Sequence, residues 1–537
     1  MRLHRFSSRA LRRAVVLLAL CSVLLAGGSS GGAVGATARR TPILYSSTVL
    51  LIDDHRVEAT SNLARNYLTG AKVQVDGLPS GQVDVTRVRS YTGQDDASDG
   101  DTDVDTSYLV GVDTVIKDVV DGQPLYRMWL RSGPNVGYRE STDGLHWHIH
   151  DPDSVVVATD VGDASVLKDY DTGLYYLIGW SRSRAHYVEE VSRDGLRFRP
   201  STHFAGTLSE LPGDVVEANS DPVTGDLAAI AKERTNAGIS CGARLRTGGR
   251  TFGIFTSTTP AASDLSSGAR TWTHPGPQVM SDCIDVRSVP RTPDTMRPMQ
   301  HYGMSFQRYG DQFIGFPWLF HVTAAPPSPE ESGKADGPID TQIASTPDIV
   351  RVPWTRSDPV VRNGTRHARP VLIQRGPAGS WDGGMLFGQA NLISDDTTST
   401  LYYTGWNTFH RPRPGQSAGI GAAQWRLDRF VGRKVVDPRR FGYLRTKAFV
   451  LPSNAAPRDL VVNASLAPRR FMRVGVLDAR TNRPIPGFGL GDSTVVRGDN
   501  LAAHVTWLGR HIGALRSRPI RLLFRYGAGS LYSFRVM

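Results

Sequence analysis

The chain has 537 residues, which is too long for one compact core, so two or three domains are expected. Its 55 glycines, 33 prolines and 40% hydrophobic residues favour short strands joined by tight turns over long helices. The net charge of +11 comes without interleaved basic and aromatic residues, which argues against nucleic acid as a partner. It fits a long-range attraction to anionic envelope polymers.

The first 38 residues predict a secretory signal peptide. Five arginines precede an uncharged run at 14–28, and small residues follow as far as Ala38. This run is shorter than the roughly 20 residues that a membrane-spanning helix needs. We therefore expect an exported mature protein that begins near Arg39, with a retained N-terminal anchor as the alternative.

A strand rich in β-forming residues recurs five times, each time after a polar turn and another short strand. The copies lie at 125–129, 174–178, 227–230, 312–316 and 401–405. A period near 50 residues with four strands per unit is typical of a propeller blade. The sequence therefore predicts an all-β fold with a five-bladed β-propeller over residues 39–434.

Two matching turns, at 141–147 and 192–198, follow the first two copies and lie 51 residues apart. Each contains Asp-Gly, which favours a turn with positive φ, and an aromatic residue three positions after the glycine. That aromatic residue is placed to pack between neighbouring sheets. We interpret these turns as structural, without a role in chemistry.

Wider spacing around the third and fourth copies indicates insertions. They contain Cys241 and Cys283, which are expected to form one disulfide in an oxidising compartment, with two free thiols as the alternative. The acidic run at 95–105 is expected to be a solvated loop, with calcium binding as the alternative.

The chain changes character near residue 435. Alternating apolar runs, separated by Gly, Pro and Asn turns, lie at 460–464, 472–477, 505–507 and 520–524. They predict a C-terminal β-sandwich over residues 435–537. We expect it to brace the propeller; a sugar-binding module is the alternative.

Several segments resemble bacterial glycosyl hydrolases of the family 32/43/68 five-bladed propeller type. The resemblance rests on residues 51–54, 141–147, 302–304, 379–385, 419–423 and 426–430, and in the tail on 484–488 and 531–534. These motifs are specific for architecture. They are much less specific for reaction and substrate, because one fold hosts several chemistries.

In a propeller, polar residues at the starts of the innermost strands converge on one funnel. Four of the five expected strand starts carry an acid, and glycoside cleavage needs two carboxyl groups. The resemblance implies that Asp113 is the base or nucleophile, Asp163 the orienting acid and Glu217 the proton donor. Asp214 competes with Glu217, and Asp382 is an alternative to any of them. The alternative for each acid is a structural role, in which its side chain caps a turn by accepting hydrogen bonds from backbone amides.

Sugars also need flat apolar platforms and fixed polar contacts. The predicted substrate-binding residues are Asp214, Trp180, Arg182, His301, Tyr302, Trp318, Trp381, Asp382 and Trp406. Core packing is the alternative for the tryptophans, and His301 departs from the family pattern, in which an acid is expected. No zinc spacing, phosphate-binding glycine loop or nucleophilic serine motif is present, so we expect no cofactor and no metal.

The sequence thus predicts a secreted, monomeric glycoside hydrolase that acts on a poly- or oligosaccharide, with an association with the cell envelope. One alternative is a glycoside phosphorylase, which would need basic side chains around a phosphate. The other is a non-catalytic carbohydrate-binding or envelope scaffold protein. Two acids about 5–10 Å apart in an open funnel would favour hydrolysis, whereas acids in arginine pairs or a sealed channel would favour binding.

Overall fold

The described part of the protein, a computed structural model, comprises residues 48–76, 78, 110–132, 135–148, 156–170, 172–181, 183–201, 204–206, 208, 215–234, 239–241, 244–246, 249–257, 270–274, 277–278, 282–287, 299–324, 335–362, 365–366, 368–389, 391–411, 413, 415–451 and 459–537. The predicted signal peptide, the acidic run at 95–105, Arg182 and Asp214 lie outside these residues.

The predicted all-β class is confirmed. The described ranges hold 38 strands, one short α-helix at Cys283–Arg287 and one 3-10 helix at Ile512–Leu515. Neither helix is long and apolar enough to cross a membrane.

Four short strands open the described chain: β1 (Thr48–Leu50), β2 (Val57–Ser61), β3 (Leu63–Tyr67) and β4 (Ala71–Val73). None of them pairs with another of the four. Each joins a sheet that is built mainly from residues far along the chain.

Two four-stranded antiparallel sheets follow. The first contains β5 (Val110–Val120), β6 (Gln123–Ser132), β7 (Asn135–Ser141) and β8 (Val156–Ala158). The second contains β9 (Gly162–Lys168), β10 (Tyr175–Ser181), β11 (His186–Ser192) and β12 (Arg199–Pro200). In both sheets the strands pair in chain order.

A third antiparallel sheet has the order β14-β15-β18-β20. This region consists of β13 (Phe204–Gly206), β14 (Val216–Ser220), β15 (Leu227–Arg234), β16 (Ile239–Cys241), β17 (Arg244–Arg246), β18 (Arg250–Ser257), β19 (Arg270–Trp272) and β20 (Pro277–Gln278). The strands β16 and β17 form a separate hairpin, and β13 pairs with β19 in parallel. The side chain of Cys241 lies outside the described residues, so the disulfide with Cys283 stays a prediction.

A ten-stranded sheet contains two further antiparallel runs, β21-β22-β24-β25 and β28-β30-β31-β4, joined through β23. Its region comprises β21 (Met299–Tyr309), β22 (Gln312–His321), β23 (Ile339–Thr341), β24 (Ala344–Thr346), β25 (Thr355–Arg356), β26 (Val361–Arg362), β27 (Thr365–Arg366), β28 (Met385–Phe387), β29 (Ile393–Ser394), β30 (Thr398–Trp406) and β31 (Ala418–Arg426). The strands β26 and β27 form a separate hairpin, and β29 pairs with β30.

All five recurring segments predicted from the sequence are strands: they lie in or overlap β6, β10, β15, β22 and β30. Each pairs with a strand on either side, so its backbone donors and acceptors are used within the sheet. Every residue of β10 is buried. Burial on both faces explains why these segments are nearly continuous apolar runs.

Side-chain hydrogen bonds link the successive sheets to one another. The bonded pairs are Thr114 with Val166, Ser165 with Ala218, Asn219 with Phe306, Ser305 with Gly388, and Thr404 with Val112. The last pair joins β30 back to β5, where the sequence of sheets began. The N-terminal strand β4 completes the last sheet by pairing with β31.

The C-terminal strands are β32 (Val431–Val435), β33 (Gly442–Thr446), β34 (Leu460–Leu466), β35 (Met472–Asp478), β36 (Asp499–Val505), β37 (Ile520–Tyr526) and β38 (Gly529–Val536). They form two sheets around one apolar core, which contains Trp507, Phe524 and Phe534. One sheet has the order β3-β32-β38-β34-β36 with β1 beside β38, and the other has the order β2-β33-β37-β35.

This pairing differs from the predicted division at residue 434. The strands β1–β3 belong to the C-terminal sheets, and β32 spans the predicted boundary. The N-terminal strands cover strand edges that would otherwise expose unpaired backbone groups. Contacts between residues 364 to 487 positions apart have no local sequence signal, so the sequence does not show these pairings, and the division at residue 434 stays a prediction.

Candidate active site

Three predicted acids come from three neighbouring sheets: Asp113 from β5, Asp163 from β9 and Glu217 from β14. Asp113 is 2% exposed and Glu217 is 5% exposed. Burial raises the pKa of both carboxyl groups, because it disfavours their charged forms. The charge of Asp163 raises the pKa of Asp113 further, and both aspartates raise the pKa of Glu217. The structure therefore brings the three acids into one electrostatic cluster.

Local irregularities in the strand pairing change the orientation of two of these acidic side chains. Asp113 is an extra residue in β5, between the paired Val112 and Thr114, and β9 has an equivalent irregularity at Asp163. A bulge of this kind bends the strand and re-aims a side chain out of the normal alternation. Asp163 also has a φ of 46°, which is rare for residues other than glycine and is often found at functional sites.

A third bulge occurs at Tyr302 in β21, between His301 and Gly303. Glu217 differs, because it lies in regular pairing opposite Ile230. Bulges therefore occur near the starts of β5, β9 and β21, each at a residue that the sequence had singled out. A bulge is a property of the pairing of two strands, so one strand's sequence could not reveal it.

Arg131 is a cation that acts on this cluster. Its Nη1 donates a hydrogen bond of 2.5 Å to Oδ1 of Asp163, and its charge lowers the pKa of Asp113 against the effects that raise it. Asp113 Oδ2 is buried without a hydrogen-bond partner among the described residues. The ion pair between Arg131 and Asp163 favours an ionised Asp163, whereas burial and both aspartates favour a proton on Glu217.

Crowded carboxyl groups do not all ionise near neutral pH, so such a cluster shares at least one proton. A carboxylic acid that stays protonated next to a carboxylate is the pairing required for general acid–base chemistry. Arg131 was missed in the sequence, where it is one of several arginines at the end of an apolar strand. Its contact with Asp163 exists only because the first two sheets are neighbours.

Tyr302 lies in a group of cationic and aromatic side chains. The Lys232 Nζ is 5.1 Å from the ring centroid of Tyr302, and the Arg250 guanidinium is 5.3 Å from it. His410 Nε2 is 3.3 Å from the Tyr302 hydroxyl. Lys232 and Arg250 are buried, and the sequence analysis did not select them as site residues. A charged residue within an apolar strand, or at its first position, could have indicated a buried polar site.

His301, next in the chain, is fully buried and meets the edge of Phe252 at a centroid distance of 5.8 Å. Trp406 is half-buried and packs with Tyr302 and Phe387 against an apolar cluster that includes Val215. Like Trp381, Trp406 is partly exposed, so both tryptophans stay candidate substrate platforms.

Trp180 and Trp318 are buried, as the core-packing alternative expects, and a role as substrate platforms stays a prediction. Trp318 is 1% exposed and its indole N–H donates to the Gly388 carbonyl at 3.2 Å. Trp180 is buried edge-on against Tyr187. Both rings fill gaps between strands, because large aromatic side chains contribute most to a core when all their surface is covered.

Trp381 and Asp382 lie in the turn that precedes β28 of the last sheet. Trp381 stacks on Tyr403 at 5.8 Å and packs against that sheet's core. Asp382 forms an ion pair with Lys72 of β4 and accepts hydrogen bonds from Tyr403 at 3.0 Å and Ser380 at 3.1 Å. Oδ2 of Asp382 thus holds β4 through Lys72 and also accepts from Tyr403, whereas Oδ1 accepts from Ser380 of the same turn. A role of Asp382 as a substrate contact stays a prediction.

Within the described ranges, no group of three or more His, Cys, Asp and Glu side chains is placed to hold a metal ion.

No family model matches the sequence, and no curated protein matches it. Solved structures similar to the chain include an endo-arabinase from Bacteroides thetaiotaomicron, with 14% identity over 59% of this chain and 94% of that one, at a TM-score of 0.33. An endo-1,4-beta-xylanase from the same organism has 9% identity over 57% and 89%, also at 0.33. A glycosyl hydrolase from Bacteroides ovatus has 11% identity over 66% and 94%, again at 0.33. Likenesses at this level say nothing of activity, so the family resemblance stays a prediction.

Proposed function

We propose that the protein is a glycoside hydrolase whose carboxyl groups lie in the funnel of a five-bladed β-propeller. The circuit of hydrogen bonds between inner strands supports this architecture, because it returns from the last sheet to the first. The pairing of β4 with β31 supports it too, since a strand from the chain's start completes the last blade. The two C-terminal sheets with their shared core support a β-sandwich, to which β1–β3 contribute.

The observation that carries the reaction is that Asp163 raises the pKa of Asp113 and that both aspartates raise the pKa of the buried Glu217. In this proposal Glu217 donates its proton to the glycosidic oxygen as the bond to the anomeric carbon breaks. Asp113 acts as nucleophile on that carbon or as base toward the attacking water. Asp163, held by Arg131, keeps a negative charge nearby that favours the protonated form of Glu217.

The test is release of reducing sugar ends from a panel containing arabinan, xylan and fructan. Glu217→Gln and Asp113→Asn should each lower kcat at least about 100-fold, because each removes one half of the acid–base pair. Glu140→Gln is the matched control: this buried acid lies in the same sheet as Asp113, and its contact with the Tyr138 hydroxyl can persist in the amide. Unchanged hydrolysis in both site variants would refute the proposal.

A second candidate is a carbohydrate-binding or envelope scaffold protein without hydrolytic activity. It is favoured by the near-complete burial of Asp113 and Glu217 and by the pairing of Asp163 with Arg131. Binding of an oligosaccharide without any cleaved product would select this function. Adding inorganic phosphate tests the phosphorylase alternative, for which Lys232 and Arg250 are the candidate phosphate contacts: a sugar 1-phosphate would be the product.

The proposal includes export, with cleavage after Ala38, an association with the cell envelope and a monomeric state. N-terminal sequencing of the secreted protein and light scattering test the first and the last. A disulfide between Cys241 and Cys283 follows from export. It would make the intact mass smaller by two hydrogens than that of the reduced chain.

A further inference from the structure

A cavity of about 480 Å³ lies where the turn after β21, the turns beside β30 and β31 and the C-terminal sheets meet. Thr48 and Arg535 line it from the C-terminal sheets, and Asp395, Asp396 and Leu427 from the turns. Its lining includes none of the three acids of the candidate active site. It is therefore separate from the chemistry proposed above.

The walls of this cavity are held in place by close contacts. Gly310 has a φ of 61°, and a Cβ atom there would lie 1.8 Å from the Thr48 carbonyl oxygen, so this turn packs tightly on β1. The Asp428 carboxylate accepts hydrogen bonds from the hydroxyls of Tyr309 and Ser533, the latter at 2.6 Å. Three distant parts of the chain are thus locked together before any ligand arrives, which lowers the ordering cost of binding.

Most of the charged lining is already paired. Arg308 makes two hydrogen bonds of 2.7 Å to Asp221, and Asp395 accepts from the backbone of the turn that follows it. Asp396 and Arg535 differ, because neither side chain has a hydrogen-bond or ion-pair partner among the described residues. Among the described residues, an exposed carboxylate and a partly exposed guanidinium thus line one cavity without forming an ion pair with each other.

We infer that this cavity binds a sugar residue of a glycan through a pair of neighbouring hydroxyl groups. Each hydroxyl both donates and accepts, so one can accept from Arg535 while the next donates to Asp396. Leu427 and Ala502 offer apolar contact for the C–H groups of the ring. The volume is within the range of small-ligand sites. Only the choice of a glycan as ligand rests on the proposed function; the site itself needs no hydrolysis.

The experiment measures retardation of the full-length protein in native gels that contain arabinan, xylan or fructan. It uses the Glu217→Gln background, so that polymer is not consumed. At least one polymer should retard this protein, and adding Arg535→Gln or Asp396→Asn should weaken the binding about tenfold, the effect of losing one charged hydrogen bond. The exposed Arg439 provides the control: Arg439→Gln removes the same charge elsewhere and should change nothing.

Equal retardation of parent and cavity variants would overturn the inference, and so would a lack of retardation by all three polymers. Competition separates a sugar from a zwitterionic ligand. If glycine betaine abolishes the retardation that depends on Arg535 and Asp396 while monosaccharides do not, the inference is overturned in favour of a zwitterionic ligand. Loss of hydrolysis alone does not contradict the inference that this cavity binds a sugar residue. If the wild-type protein cleaves nothing but retardation still depends on Arg535, the proposed hydrolase fails and the cavity inference stands.

Discussion

The Glu217 side chain is buried beside two other acids, an arrangement that costs stability while favouring a protonated carboxyl group. A folded-state pKa above the ordinary value means that the folded protein loses stability as pH rises from the ordinary value through the raised one. Glutamine does not titrate. Glu217→Gln should therefore raise Tm relative to the wild type, and the difference should grow from pH 5 to pH 9, reaching at least about 2 °C.

Thermal denaturation across that pH range measures this difference. Glu140→Gln, which removes a buried acid outside the cluster, is the control for the Glu-to-Gln substitution itself. A Tm difference for Glu217→Gln that stays constant or shrinks as pH rises would mean that Glu217 is not held protonated.

Arg131 acts on the same cluster with a positive charge, so it opposes the effect of the neighbouring carboxylates on pKa. Its charge lowers the pKa of Asp113, so Arg131→Gln should raise that pKa and move the acidic limb of the pH–rate profile to higher pH. Arg131→Lys should restore most of the original profile because it keeps the charge. The measurement is kcat/KM as a function of pH. A uniform loss of activity without movement of the limb would reduce Arg131 to a structural residue.

Asp163→Asn tests the alkaline limb of the pH–rate profile. Removing this negative charge should lower the pKa of Glu217, because Asp163 is one of the groups that raise it. The alkaline limb, where the general acid loses its proton, should then move to lower pH. Movement to higher pH would contradict the assigned roles.

At the scale of single elements, the two matching turns perform the structural role expected of them. In each turn the serine hydroxyl accepts from the glycine N–H at 2.9 Å, and the glycines Gly144 and Gly195 have φ values of 78° and 75°. The glycine carbonyls then accept hydrogen bonds from aromatic residues of a neighbouring sheet, Tyr402 at 2.6 Å and Trp129 at 2.8 Å. Each turn thus connects its own sheet to a neighbouring sheet through a hydrogen bond.

The short helix Cys283–Arg287 is fastened by a buried network of charges. Asp285 pairs with Arg356 at 2.5 Å and with Arg369 at 2.7 Å, and all three side chains are at most 6% exposed. Removing one member would leave an uncompensated buried charge, so Asp285→Asn should cost about 3–5 kcal/mol of unfolding free energy.

Urea denaturation measures that cost. The neighbouring Asp282 provides a matched control, because it also pairs with Arg369 but its side chain is 46% exposed. Asp282→Asn should cost less than about 1 kcal/mol. Equal costs for the two variants would show that burial does not set the strength of this network.

At the scale of the whole molecule, the N-terminal strands tie the two ends of the chain together. The strands β1 and β3 extend the sheet that contains β38, β2 extends the other C-terminal sheet, and β4 completes the last sheet before them. A protein that lacks residues 1–67 would expose the edges that β1–β3 cover. We expect it to lose cooperative unfolding and to bind a hydrophobic dye, whereas a protein that starts at Arg39 should not.

Dye fluorescence and the width of the thermal transition report this difference. Adding a peptide of residues 48–67 to the truncated protein should reduce dye binding, because the missing strands can re-pair. A truncated protein that unfolds as sharply as the full chain would show that these strands are dispensable.

The sequence by itself determined what depends on neighbouring residues: the β class, the five recurring strands, the two Asp-Gly turns and the short list of acids. Alternation, turn chemistry and repeat period are local, so one chain displays them. Only the tertiary structure decided that Arg131 reaches Asp163, that Asp382 fastens β4, that Trp318 is core and that β1–β3 join the C-terminal sheets. Each of these depends on which strands become neighbours, and that pairing is set by burial and edge closure over the whole chain.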